Sequence, residues 1–338
     1  MWPKLPVGKL DLELLRRLLA DYQREDPRVI LGPAVGEDVA VLDMGRVCLV
    51  AKTDPVTFAT DEVGWYAVHV NANDIATSGA VPRWFLATLL LPQGAATEEM
   101  AETIFQQIVA ACDALDVTLV GGHTEVTHQL DRPIVVGTML GEVAREHLIH
   151  TGGAQVGDQI LLTKCIALEG TAILAREKPD FLKQLGQSEE EIRALRELLH
   201  DPGISVVPDA QLALEAGHVH AMHDPTEGGI ATGLWELALA ADVGLRIDAV
   251  ELEEMNPYAD LWRELEIDPL GVIGSGALLI SATDPHARAI RWRLLEAGIR
   301  CRVIGRTTPA ADGCVLVTPD GTSELPRYDQ DEITKLFT

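Results

Sequence analysis

Residues 62–82 read EVGWYAVHVNANDIATSGAVP. Residues 62–78 predict a helix whose largely apolar run is interrupted by the cluster Asn71, Asn73 and Asp74. The chain has only three asparagines and two of them stand here, so general composition does not account for the cluster. Asn and Asp side chains compete with the helical backbone for hydrogen bonds, and three such residues within four positions need a reason. Outward from this helix, three further clusters lie at the edges of apolar elements, all within the first 125 residues. Gly36-Glu37-Asp38-Val39-Ala40-Val41 leads into a strand, and Lys52-Thr53-Asp54-Pro55 closes one that begins near Val47. Gly121-Gly122-His123-Thr124-Glu125 ends a strand over Val117–Val120.

Each cluster alone reads as a turn or a solvated face, since Gly-Glu-Asp and Thr-Asp-Pro are ordinary turn sequences. A turn reading leaves their common placement at element ends unexplained. Carboxylates converging on one point repel unless a hard cation lies between them. Mg2+ suits that role, being held by a few carboxylates together with substrate phosphates. The second half has one comparable stretch, His223-Asp224-Pro225-Thr226-Glu227-Gly228-Gly229, ahead of a helix over 230–241. Free N–H groups at a helix N-terminus attract anions, and glycines let a ligand approach closely. The alternative is a capped helix start with Thr226 or Asp224 as N-cap.

Charge and cysteine content narrow the function classes. The 338 residues include 52 acidic and 27 basic side chains, a net charge of −25. The excess is spread: 11 basic against 21 acidic residues in 1–150 and 16 against 31 in 151–338, or −10 and −15. Nucleic acid and anionic membranes would be repelled by such a chain. No apolar run is long enough to span a bilayer, and the opening MWPKLPVGKLDLELL lacks the apolar stretch of a leader. The five cysteines are odd in number and no pair has CxxC spacing, which favours buried thiols and a cytoplasmic setting.

The turn-rich stretch His150–Asp158 divides the chain into a domain over 1–150 and another over 151–338, each mixing strands and helices. Thr97 is the expected N-cap of a helix whose stripe is Met100, Ile104, Ile108, Ala111 and Leu115, and Asp11 that of the first helix. Familiar nucleotide and hydrolase signatures, GxxxxGK[ST], GxGxxG after a strand, HExxH and GxSxG, are missing.

In their order, the clusters resemble the PurM-like (AIR synthase-related) superfamily, which includes aminoimidazole ribonucleotide synthetase, hydrogenase maturation factor HypE, thiamine-monophosphate kinase and selenophosphate synthetase. GEDVAV at 36–41 is similar to the family's Gly-Asp-Asp-Ala-Ala-Val. NAND at 71–74, with Gly79-Ala80-Val81-Pro82, is similar to its Asn-Asp-x-x-x-x-Gly-Ala-x-Pro. DPTEGG at 224–229 resembles the HypE-branch Asp-Pro-Thr-x-Gly-Gly. The resemblance implies a mixed α+β and α/β two-domain fold, with the N-terminal domain forming a barrel at a homodimer interface and a C-terminal α/β domain. It also implies ATP and Mg2+. It places Glu37, Asp38, Asp54 and Asp74 at the metal, Lys9, Asn73, Thr226, Gly228 and Gly229 at the nucleotide, and Asp224, Glu227 and His123 at the chemistry.

Lys9 reads equally as a solvated tail lysine. His123 stands where the family often has Asp or Glu. It is read as a hydrogen-bond partner of phosphate or substrate, with Glu125 a replacement carboxylate, or as a structural residue, because imidazole is a poor Mg2+ ligand. The last cysteine, Cys314, lies 24 positions before Thr338, so the HypE reaction on a tail cysteine is not expected. The expected activity is ATP-dependent phosphorylation of an amide- or carbonyl-type oxygen on a small-molecule or protein acceptor. The alternatives are a small-metabolite kinase like thiamine-monophosphate kinase and a non-catalytic nucleotide-binding accessory protein.

Overall fold

The computed structural model describes residues 10, 12–20, 25–33, 38–57, 61–328 and 330–337, and the expected caps Asp11 and residues Lys9 and Glu37 lie outside them. The first half builds strands β1 (Val29–Leu31), β2 (Ala40–Asp43), β3 (Cys48–Val56), β4 (Val81–Pro92), β5 (Thr118–Thr127) and β6 (Ile134–Val143). Its helices are α1 (Leu12–Ala20), α2 (Val63–Thr77) and α3 (Glu98–Ala114). The strands form one sheet in the order β1-β2-β3-β6-β4-β5. All neighbours are antiparallel except β4 and β5, which α3 joins as a crossover. Thr97 caps α3 as expected, accepting the Met100 N–H at 3.1 Å.

Helix α2 is buried along nearly its whole length because it is covered on two sides. One side lies on β3, β4 and β6, and another meets the second half of the chain at its seventh helix and eighth strand. Close approach to β6 depends on Gly137, where an added Cβ would stand 2.4 Å from Asn71 Nδ2.

The second half adds β7 (Gln159–Thr163), β8 (Ala221–His223), β9 (Val243–Asp248), β10 (Leu279–Ala282), β11 (Cys301–Pro309), β12 (Cys314–Thr318) and β13 (Gly321–Glu324). They pair in the order β13-β12-β9-β11-β7-β10-β8. Its helices are α4 (Leu168–Glu177), α5 (Pro179–Gln184), α6 (Glu189–Glu197), α7 (Val207–Ala216), α8 (Gly229–Ala241), α9 (Ala249–Glu254), α10 (Ala259–Glu264) and α11 (Asp284–Glu296). At its β7, β10 and β8 end this sheet is buried on both faces. Ile160, Leu162 and Leu279 pack into the core that holds Leu168, Ile230 and Trp262. Their neighbours Leu161 and Ile280 pack into a second core, shared with Val68, Ile75, Ala210 and Ile290. That second core joins the two halves of the chain through α2. All five cysteines are buried and free, and burial pushes Cys112, Cys165 and Cys301 up to about 12, which leaves them poor nucleophiles.

One element departs from expectation. The strand over 117–120 does not end at Gly121-Gly122; β5 runs through both glycines to Thr127. Pairing with Leu86 and Ala87 of β4 carries the extended chain across them. A Cβ on Gly122 would meet the Ala87 carbonyl oxygen, so glycine there serves close strand pairing and not a turn. Among the described residues no helix is long and apolar enough to cross a membrane.

Candidate active site

The strand β3 places Lys52 and Asp54 two residues apart on one face, as the two-residue period of a strand requires. Asn71, buried in α2, donates to the Asp54 carbonyl at 3.3 Å and to the Ala67 carbonyl at 2.8 Å, tying helix to strand at this point. One turn on, α2 presents Asp74. The Lys52 ammonium bridges the two carboxylates, 2.9 Å from Asp74 Oδ2 and 3.3 Å from Asp54 Oδ2. Asp38, at the foot of β2, lies 3.5 Å from His223 Nδ1, and His223 Nε2 meets Glu236 Oε2 of α8 at 2.8 Å. Next to His223, Asp224 is 2% exposed, and neither of its carboxylate oxygens has a hydrogen-bond partner in another of the described residues. The groups around it electrostatically are Asp74, Asp38 and Lys52. The site thus lies where the two halves of the chain meet.

Crowding and burial set the charges. Asp74 is pushed up to about 7, by burial first and by Asp38 and Asp54 besides, with Lys52 opposing. Burial, then Asp74 and Asp38, holds Asp224 well above the usual carboxylate range. For Lys52, burial works downward, but Asp74, Asp54 and Asp38 outweigh it and the ammonium is held above its ordinary value. His223 behaves alike: burial lowers it, while the Glu236 hydrogen bond and Asp38 carry it upward. The Lys52 ammonium and a His223 imidazole biased toward its charged form therefore sit among Asp38, Asp54, Asp74, Asp224 and Glu236.

The structure brings together three of the four expected metal carboxylates, Asp38, Asp54 and Asp74, and adds Asp224 to them. No three His, Cys, Asp or Glu side chains among the described residues close to metal-holding geometry. The space between Asp54 and Asp74 is bridged by Lys52 instead. A hard cation nonetheless fits the donor set, because all four carboxylates offer oxygen and Asp224 leaves two buried oxygens unpartnered.

Other expected site residues are used differently. Asn73 is fully buried. Its Nδ2 donates to the Ile204 carbonyl and its Oδ1 accepts the Val206 N–H, both at 2.8 Å, so the amide fastens the second half of the chain to α2 and is not available to a nucleotide. Replacing Asn73 by Leu would strand both backbone groups away from water. The expected cost is about 2–4 kcal/mol in urea denaturation. A loss under about 0.5 kcal/mol would show that this clamp contributes little.

The glycine loop is also occupied by the chain itself. Gly228 is the N-cap of α8, in the left-handed conformation and without a side-chain cap, in place of Thr226 or Asp224. Its N–H donates to Asp331 Oδ2 at 2.7 Å, and the Gly229 N–H donates to the Thr226 carbonyl at 3.0 Å. Asp331 Oδ1 further accepts the Ile273 and Ile333 N–H groups. A carboxylate of the protein thus takes the anion position expected for phosphate at Gly228 and Gly229. Thr226 is half-buried beside them, and Glu227 is exposed.

His123 is not brought to the cluster within one chain. It shares a row with Pro55 through Val136 and Thr88, three strand spacings or about 14 Å across the sheet. Its side chain is 66% exposed and bonds Glu125 at 3.1 Å. Conversely, Lys52, His223 and Glu236 were not singled out from the sequence. Lys52 and His223 stood inside clusters already quoted, and a lysine at the end of an apolar strand was the available signal. Nothing local marks Glu236, which is paired from 13 residues away.

Residues 36–143 match the family model described as AIR synthase related protein, N-terminal domain, and residues 155–317 match AIR synthase related protein, C-terminal domain. The carbamoyl dehydratase HypE of Cupriavidus necator is 32% identical over 308 residues, which is 89% of this chain and 80% of that protein. The chain belongs to the AIR synthase-related family, in its HypE-like branch. Its two-domain, mixed α+β PurM-like architecture is the one expected from the ordered motifs. The thiamine-monophosphate kinase of Archaeoglobus fulgidus is 28% identical over 255 residues, covering 73% of this chain and 77% of that protein. A solved structure of hydrogenase maturation protein HypE in complex with ATP aligns with a TM-score of 0.70 at 23% identity, over 94% of this chain and 91% of that one, a likeness of fold.

Proposed function

We propose that this AIR synthase-related chain is a Mg2+-dependent enzyme that uses ATP to phosphorylate, and so activate, an amide- or carbonyl-type oxygen of a small-molecule or protein acceptor. The observation that carries the reading is the group Asp38, Lys52, Asp54, Asp74 and Asp224, half-exposed at Asp38 and Asp54 and buried at Asp74 and Asp224, with the Asp224 carboxylate lacking a hydrogen bond from another described residue at the junction of the two halves. A relative named carbamoyl dehydratase and a similarly folded protein solved with ATP support it. The reading includes domains over 1–150 and 151–338, and a cytoplasmic homodimer. The exposed edge strand β5, with Val120 51% and Val126 59% accessible, is a surface on which a second copy would pack.

Asp38, Asp54, Asp74 and Asp224 would hold Mg2+ and, through it, the triphosphate. Bound Mg2+ would neutralise the charge that develops on the transferring phosphoryl group. Lys52 supplies a fixed positive charge beside the same phosphates. In the reaction the acceptor oxygen bonds the γ-phosphorus as the bond to the β-phosphate oxygen breaks and ADP leaves. The oxygen then departs as phosphate when its carbon is substituted or the amide-type nitrogen forms a multiple bond to it and loses its protons. Glu227, exposed on the acceptor side, is placed to take such a proton.

The test supplies ATP, Mg2+ and candidate acceptors carrying a heavy-oxygen label in the amide or carbamoyl carbonyl. Label recovered in released phosphate supports the reading. A stable phosphorylated acceptor without free phosphate would replace it with a metabolite kinase. ATP binding with no ADP formed under any acceptor would leave a nucleotide-binding accessory protein.

A further inference from the structure

We propose that Lys52 is a built-in cation, standing in place of one divalent ion between Asp54 and Asp74, so that the site works with one fewer metal ion than its carboxylates would otherwise demand. The inference rests on the nucleotide–metal reading for its purpose, but its structural content stands without nucleotide.

The ammonium lies 2.9 Å from Asp74 Oδ2 and 3.3 Å from Asp54 Oδ2, on a side chain only 12% exposed. That is the position a cation bridging strand β3 and helix α2 would take. A second, independent feature points to a cation among these groups. Asp224 is buried, neither carboxylate oxygen is hydrogen-bonded by another described residue, and its electrostatic neighbours are Asp74, Asp38 and Lys52. A buried carboxylate is driven toward its neutral form unless a cation joins it, so Asp224 marks a place where more positive charge than Lys52 alone supplies would be accepted.

A lysine and a divalent ion solve the same electrostatic problem differently. The ammonium is tethered, carries one charge and is present whatever the metal concentration. A divalent ion carries two charges, needs several oxygens and leaves when chelated. With Lys52 between Asp54 and Asp74, those two carboxylates cannot close around a metal at that point. The four carboxylates then share the one ion that accompanies the phosphates. Removal of the ammonium should free Asp54 and Asp74 to bind a divalent ion of their own.

The experiment titrates Mn2+ into the full-length chain and reads free Mn2+ by electron paramagnetic resonance. It is run without nucleotide and again with a non-hydrolysable ATP analogue. Lys52→Met is expected to bind one more Mn2+ per chain than wild type in both arms. The affinity at that position should be at least about tenfold higher than wild type shows there, since a fixed like charge has been removed. Lys52→Arg, which keeps the charge, should match wild type. Equal stoichiometry in wild type and Lys52→Met, or weaker Mn2+ binding by the variant, overturns the proposal.

If Lys52→Met is poorly folded, its melting temperature is read against Mn2+ concentration. A rise larger than that of wild type supports the added site, because an ion bound only to the folded state stabilises it. No rise at saturating Mn2+ overturns it. A Mn2+ difference that persists when neither protein binds the ATP analogue would keep the inference and sink the proposed function instead.

Discussion

Replacing Asp74 by Asn is expected to lower ATP turnover by roughly a thousandfold or more while the chain stays folded. Asp74 is the most deeply placed carboxylate of the β3–α2 pair and the nearest partner of the Lys52 ammonium. Asn keeps the shape of the side chain and removes its ability to carry charge. The substitution therefore separates packing from electrostatics: Val68, Ile75 and the rest of the shared core are untouched. Steady-state ADP release measures the loss, and circular dichroism with a thermal melt measures the fold. Wild-type turnover in this variant would remove Asp74 from the catalytic machinery. A variant that melts cooperatively near the wild-type temperature yet turns over no ATP would place the role in chemistry rather than in folding.

Chelation should have an effect of comparable size on binding. Calorimetric titration of ATP in EDTA should show affinity about 100-fold or more below that measured with Mg2+. The site sets Asp38, Asp54, Asp74 and Asp224 against the Lys52 ammonium and His223, in a chain whose net charge is −25. A triphosphate brought to within about 5 Å of one uncompensated carboxylate meets a repulsion of about 3 kcal/mol at the effective dielectric of a protein surface. One such contact is already about a hundredfold in affinity. Mg2+ cancels that repulsion, whereas the single tethered charge of Lys52 cancels it only in part. Affinity unchanged by EDTA would end the assignment of these carboxylates to a metal-held phosphate. On the proposed reading, the broad acidity of the chain has a narrower meaning: a few carboxylates at the α2–β3 junction would belong to the site, and most others would be solvated surface.

What the sequence determined by itself is what is written within one segment. Helix α2, the Thr97 cap, the strand around Lys52-Thr53-Asp54, and helix α8 each follow from local patterns of apolar spacing, capping and turn residues. The convergence of Asp38, Asp54 and Asp74 was legible only because ordered motifs resembled a known family, since no local signal says that three distant carboxylates share a site. Tertiary structure decided the rest. Asn73 looked like a ligand-binding residue because a polar group in an apolar helix has no local explanation. Its partners, Ile204 and Val206, are more than 130 residues away, and only folding brings them near. Gly228 and Gly229 looked like an open anion site until Asp331, from the far end of the chain, filled it. His123 looked like a site residue by position along the chain, but sheet order placed it three strands from Asp54. Lys52 reads locally as one surface cation at the end of a strand. Once α2 packs against β3, the same side chain becomes a buried charge held between two carboxylates, because burial and proximity, which no local pattern encodes, set its electrostatics.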